Sequence, residues 1–179
     1  MGQLLRKPAT WIVIGVLAVG GGAAGLYWFT PWKLFTDKQV NDSVPAVAVP
    51  DSTGEDAPAD TANRLLAEGT LVDQEHATSG SVQIIELDDG RRQLILRELR
   101  TSDGPDLRVW LTDQRVVEDA AGWRIFDDGK YTEVGRLKGN QGNQVYDLPP
   151  DLDITEYHSV TIWCKRFAIS FGAASLAAA

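Results

Sequence analysis

The sequence is poor in the residues that much protein chemistry requires. One cysteine, Cys164, among 179 residues excludes an internal disulfide and any zinc cluster built from cysteines. Two histidines, His76 and His158, exclude a catalytic zinc site of three protein nitrogens unless carboxylates contribute. Basic residues are outnumbered, with 17 Lys+Arg against 25 Asp+Glu and a formal charge of −8. No cationic excess is left to displace counterions from a phosphate backbone, so nucleic acid is not an expected partner. The nucleophile-elbow, P-loop and dinucleotide-binding fingerprints are absent. Asp73, Glu75, Asp103 and Asp106 match no calcium-loop template, and no metal site is expected.

Charge is also missing locally, over residues 8–32. The centre of this run, residues 10–30, would span about 30 Å as a helix, the thickness of the hydrocarbon core of a bilayer. Trp11 stands at one end and Tyr27, Trp28 and Trp32 at the other, as in interfacial aromatic belts. Arg6 and Lys7 precede the run, and Lys33 and Lys38 follow it. The free amino terminus with Arg6 and Lys7 orients the helix with its N-terminus inside and the bulk of the chain outside. The run is long for the apolar region of a cleaved signal peptide, and Ala46-Val47-Ala48 is too distant to be its cleavage site. Residues 1–33 therefore read as a cytoplasmic stub and transmembrane anchor.

Residues 34–63 follow with Pro45, Pro50 and Pro58, and with six acidic residues against Lys38. They show no sustained apolar period and are expected to form a disordered acidic linker. From residue 64 to residue 179 the apolar period becomes two. Asp88-Asp89-Gly90 separates two apolar runs as a hairpin turn does. A second Asp-Asp-Gly, at 127–129, follows Trp123-Arg124-Ile125-Phe126, which reads as a strand. Asp103-Gly104-Pro105-Asp106 leads into a third apolar run. About seven to nine short strands separated by turns predict an all-β, antiparallel sandwich or barrel-like domain.

Within that domain Cys164 ends the run His158–Cys164, in which His158, Val160, Ile162 and Cys164 share a face. Phe167, Ile169 and Phe171 have the opposite parity, so a bulge or turn at Lys165-Arg166 is expected. Two readings of Cys164 stand side by side. It is a small buried hydrophobe, or it is a reactive thiol at the rim of the core with Lys165 and Arg166 favouring the thiolate. His76, in a polar loop, either bonds to backbone groups or is a second residue of that site. The Gly- and Asn-rich stretch 137–144 looks like a cradle but is explained by turn formation.

Four blocks carry a family resemblance: Gly69-Thr70-Leu71 with His76-Ala77-Thr78-Ser79-Gly80; residues 94–111, with Gly104-Pro105-Asp106-Leu107; residues 137–149, beginning Leu137-Lys138-Gly139-Asn140; and residues 157–174, with Ile162-Trp163-Cys164 and Phe167. Over about residues 65–176 the chain resembles the electron-transfer DM-thirteen domain, the small β domain also found in Skeletor-type proteins. The resemblance implies an extracytoplasmic all-β domain whose single cysteine, here Cys164, is redox active. It implies redox or heme-protein partners and names no cofactor for this chain. The expectation is a membrane-anchored extracytoplasmic redox module, not a stand-alone enzyme, with Cys164 as its thiol and Lys165, Arg166 and His76 tuning it. The alternative is a non-catalytic surface binding or scaffolding domain with a structural cysteine.

Overall fold

The computed structural model describes residues 8–30, 36–47 and 63–179. Arg6, Lys7, Lys33 and much of the acidic linker lie outside the described residues. Helix α1 (Pro8–Phe29) is apolar on every face. Its segment Trp11–Phe29 has a mean hydropathy of 1.8 and is long and apolar enough to cross a membrane.

The strands, in chain order, are β1 (Gln39–Asn41), β2 (Arg64–Thr70), β3 (Val72–Asp73), β4 (Ser79–Glu86), β5 (Arg92–Arg100), β6 (Leu107–Thr112), β7 (Tyr131–Arg136), β8 (Gln141–Asp147), β9 (Ser159–Cys164), β10 (Ile169–Ser175) and β11 (Ala177–Ala178). They form two sheets, ordered β1-β8-β5-β4-β2-β11 and β3-β10-β9-β6-β7. All pairings are antiparallel except that of β1 with β8. The fold is thus the expected all-β arrangement, a sandwich of two sheets.

Alternation of side chains explains the core. Val82 and Ile84 of β4, Leu94 and Leu96 of β5, Leu107, Val109 and Leu111 of β6, and Val160, Ile162 and Cys164 of β9 all enter one buried cluster. Each fully buried aliphatic side chain contributes about 1.5–3 kcal/mol relative to an exposed one. The other face of the β9 sheet carries a smaller cluster of Trp110, Trp163, Phe126 and Ala173. Trp110 stacks on Trp163 with ring centroids 5.2 Å apart, and on Tyr131 at 4.1 Å.

The loop covering that second cluster corrects one expectation. Residues 123–126 are not a strand: Gly122–Arg124 is a short 3-10 turn, and Phe126 drops from it to meet Trp163 edge-on at 6.4 Å. Phe126 is fully buried and its carbonyl accepts from Thr112 Oγ1 at 3.2 Å. A run of four residues with Phe126 as its anchor gains more from covering Trp163 than from pairing with a neighbouring strand.

The segment after α1 also differs from a free linker. Residues 36–47 lie against the sandwich, with Gln39, Val40 and Asn41 in parallel register with Gln141, Gly142 and Asn143. Gly139 and Gly142 permit this approach. A Cβ at Gly139 would stand 2.3 Å from the Lys38 carbonyl oxygen, and one at Gly142 2.0 Å from that of Val40. Gly142 also has φ +97°, which L side chains rarely adopt. Asp42 closes the strap: its Oδ2 accepts from Lys138 Nζ at 2.5 Å and from the Val145 amide at 2.9 Å. Those two bonds hold the Asp42 carboxyl below its ordinary value of 3.8.

Candidate functional site around Cys164

Cys164 is the last residue of β9 and is fully buried. Its cross-strand partners are Leu107 on β6 and Ile169 on β10. The expected change of parity is made by the turn 165–168 between β9 and β10, in which Ala168 has φ +47°. The turn is fastened by Phe167 N–H to the Cys164 carbonyl at 3.2 Å and by Lys165 N–H to the Asp106 carbonyl at 3.0 Å.

The surroundings of the thiol act in opposite directions. Burial pushes the Cys164 thiol above its ordinary value of 9.0, because a thiolate would be poorly solvated there. Backbone N–H groups of Phe167, Arg166 and Asp106 pull it down, whereas the Asp106 carboxylate adds to the rise. The net direction is upward. The sulfur is enclosed by apolar side chains of the main core cluster.

A stability prediction follows from the direction of the shift. The unfolded thiol titrates at about 9 and the folded one higher, so the folded state holds its proton longer. This contribution is complete below pH 9 and is lost as pH rises toward the folded value. The slope reaches at most about 1.4 kcal/mol per pH unit for one proton. Tyr146, buried and pushed up from its ordinary 10.0, acts with the same sign at higher pH. Urea denaturation of the wild type and Cys164→Ala between about pH 8 and 10 reads the thiol's share. A steeper loss in the wild type is expected, and equal slopes would refute it.

The residues expected to tune the thiol have partners of their own. Lys165 Nζ lies 3.3 Å from Glu133 Oε2, and Glu133 also takes Arg108 Nη1 at 2.6 Å. Arg108 in turn reaches Asp106 Oδ1 at 2.8 Å, completing a charge network beside the end of β9. Arg166 sits at the C-terminal end of α1: Nη1 donates to the Trp28 carbonyl at 2.5 Å, and the guanidinium lies 5.4 Å from the centre of the Trp28 ring. A cation at that end complements the helix dipole. Among the described residues no hydrogen bond or ion pair joins the side chain of Lys165, Arg166 or His76 to Cys164.

His76 is nonetheless brought to the same rim. Its amide donates to the Phe171 carbonyl at 3.3 Å, and its ring lies 3.8 Å from that of Phe171. Its Nε2 is 2.5 Å from Glu75 Oε2. Thr78 anchors the loop through Thr101 Oγ1 and the Phe171 carbonyl, both at 2.9 Å. His158 is exposed and elsewhere. Among the described residues no group of three or more His, Cys, Asp and Glu could hold a metal ion.

Beside this rim is a cavity of about 450 Å³ whose walls include Phe29, Thr30, His76, Phe167, Ile169 and Phe171. Ile169, the strand partner of Cys164, forms part of the wall. Phe29 of α1 stacks on Phe167 with centroids 5.9 Å apart, so the helix end and the 165–168 turn share the cavity.

Asn140 and Gln144 are residues whose roles sequence reasoning missed. Asn140 Nδ2 donates to Asp37 Oδ1 at 2.8 Å and to the Thr101 carbonyl at 2.9 Å, and Oδ1 accepts from the Lys38 amide at 2.6 Å. Gln144 Nε2 donates to the Gly139 carbonyl at 2.6 Å, and Oε1 accepts from Tyr146 Oη at 2.7 Å. Their position beside Gly139 and Gly142, in a stretch too polar for an ordinary strand, was the available signal.

A two-sheet sandwich enclosing one cysteine, behind a helix of membrane-spanning length, defines the class of this protein. A model of the family described as electron transfer DM13 matches residues 70–176, more than half of the chain. The chain belongs to that family, whose description supports a redox-type role in general terms. No curated protein and no solved structure matches it.

Proposed function

We propose that the chain is a membrane-anchored, extracytoplasmic electron-transfer module in which Cys164 is the redox group. The anchor is residues 1–33 with its N-terminus inside, and the working domain is residues 64–179. The observation that carries the reading is a lone sulfur fully buried at the end of β9, where the 165–168 turn begins. Amide donors stabilise negative charge on sulfur without requiring a cation in the core. Enclosure protects a lone thiol from adventitious oxidation. Trp163, its neighbour in the chain, stacks on Trp110, and Trp110 stacks on Tyr131, which is 45% exposed. This column links the vicinity of the sulfur to the surface.

Lys165 and Arg166 keep only a long-range electrostatic role toward the thiol in this reading, since each has a nearer partner. His76 contributes from the neighbouring loop. The partners are redox or heme proteins outside the membrane. Attack of the Cys164 thiolate on a partner disulfide would form a mixed disulfide and release the partner's other sulfur as a thiolate.

Intact-mass analysis of the full chain in detergent, after an oxidant and then a reductant, tests the assignment. A reversible mass change in the folded wild type, absent from Cys164→Ala, is expected. A thiol that reacts only after unfolding would favour a second reading, which the upward shift of the thiol supports. In that reading Cys164 is core packing and the domain binds a partner through surface loops such as 103–106.

A further inference from the structure

The cavity at the end of α1 combines features that seldom occur together in a packing defect. Its aromatic walls are Phe29, Phe167 and Phe171, with the His76 ring lying against Phe171. Thr30 Oγ1 is buried there without a hydrogen-bond partner. Glu75 and His76 place a paired acid and imidazole on the rim. Arg124, also in the lining, uses Nη1 on the Phe167 and Ala168 carbonyls at 2.9 and 3.0 Å. A buried hydroxyl without a partner is costly, so Thr30 Oγ1 points to a missing acceptor.

Location narrows the class of ligand. Phe29 and Thr30 end the helix that is long enough to span a bilayer, so the cavity opens at the depth where the chain would leave the lipid. Five residues, 31–35, separate Thr30 from the strap that begins at residue 36. Six peptide steps reach at most about 20 Å, which keeps the sandwich against the membrane surface. Phe29 and Thr30, at the end of that helix, line the cavity directly. An acyl chain would fill the apolar walls and leave the Thr30 hydroxyl unanswered. A small hydrophilic ion would do the reverse. A flat ring with carbonyl acceptors and an apolar tail satisfies both, and about 450 Å³ falls within the usual size of ligand pockets.

We propose that this cavity binds the ring head of a lipid-soluble quinone, with its tail running back along α1 into the bilayer. The proposal rests on the reading of the chain as a membrane-anchored redox module and names the membrane partner of that site. Thr30 Oγ1 donates to one quinone carbonyl, and the ring lies among Phe29, Phe167 and Phe171.

The test is equilibrium binding of a short-tailed benzoquinone, bearing a ten-carbon chain, to the full chain in phosphatidylcholine nanodiscs. Quenching of tryptophan fluorescence is the readout, since Trp28 adjoins Phe29. Saturable binding is expected. Thr30→Val combined with His76→Phe keeps the shape and the ring contact, removes the polar groups, and is expected to weaken binding about tenfold or more. Circular dichroism and the thermal midpoint of the double variant show that the sandwich is intact. Decanol at equal concentration is expected to compete poorly. Equal competition by decanol identifies an acyl-chain site and overturns the proposal, as does undiminished binding by the folded double variant. Cys164→Ala is expected to bind the quinone as the wild type does. Quinone binding with an inert Cys164 would overturn only the thiol assignment, and a reversible thiol without quinone binding would overturn only this proposal.

Discussion

Trp163→Ala is expected to destabilise the sandwich by about 3–5 kcal/mol, the range for deleting a large buried aromatic. Trp163 is 1% exposed and lies between two ring neighbours of one cluster: Trp110 stacks on it and Phe126 meets it edge-on. Phe126 is the residue that holds the loop between β6 and β7 on the outer face of the sheet. Removing the indole leaves a cavity beneath that loop and takes away the contact that seats it. Trp163→Phe retains part of the ring contact and should recover a substantial part of the loss. Urea midpoints of the full chain in detergent, at constant slope, measure both. A cost below about 1 kcal/mol for Trp163→Ala would mean that the loop closes on the sheet without it.

Asn140→Ala is expected to cost about 2–4 kcal/mol and to free the strap before the sandwich unfolds. Three hydrogen bonds are lost, each worth about 0.5–1.5 kcal/mol, and the Thr101 carbonyl keeps its burial without its Nδ2 donor. Asn140 is 2% exposed, so water cannot readily replace the amide. Hydrogen exchange should rise first at residues 36–47, followed by limited proteolysis of the same segment. Asp42→Asn weakens the other end of the strap and should have a smaller effect, since Asp42 is more open to solvent. Unchanged protection of residues 36–47 in Asn140→Ala would show that the pairing of β1 with β8 holds the strap alone.

Particular residues show how far the fold was legible in the sequence. The alternation of the 158–164 run placed Val160, Ile162 and Cys164 together on the core face, although β9 is buried on both faces. Gly90, with φ +81°, made the hairpin after Asp88-Asp89 readable. Strand β1 was not readable: Gln39-Val40-Asn41 is three residues long, polar, and held by contacts with residues about a hundred positions away. Residues 123–126 failed for the opposite reason. Their apolar pattern suits a strand, but Phe126 serves as a plug over Trp163.

The site was legible to the same uneven degree. Cys164, the turn after it and the opposed parity of Ile169 and Phe171 follow from strand geometry. The environment of the thiol does not, because Asp106, far away in the chain, acts on it as well as the neighbouring Arg166 and Phe167. Lys165 and Arg166 look like neighbours of the sulfur in the chain. In space one joins the Glu133 network and the other caps α1. Neighbours in sequence at a strand end need not be neighbours of the buried side chain, since successive side chains point to opposite faces.

The central claim is that Cys164 is the group that exchanges electrons. Film voltammetry of the full chain, compared with Cys164→Ala under the same conditions, tests it most directly. The account predicts a reversible couple in the wild type that is absent from the variant, with both proteins folded by circular dichroism. The same response in both proteins, or no response from a folded wild type, would contradict it.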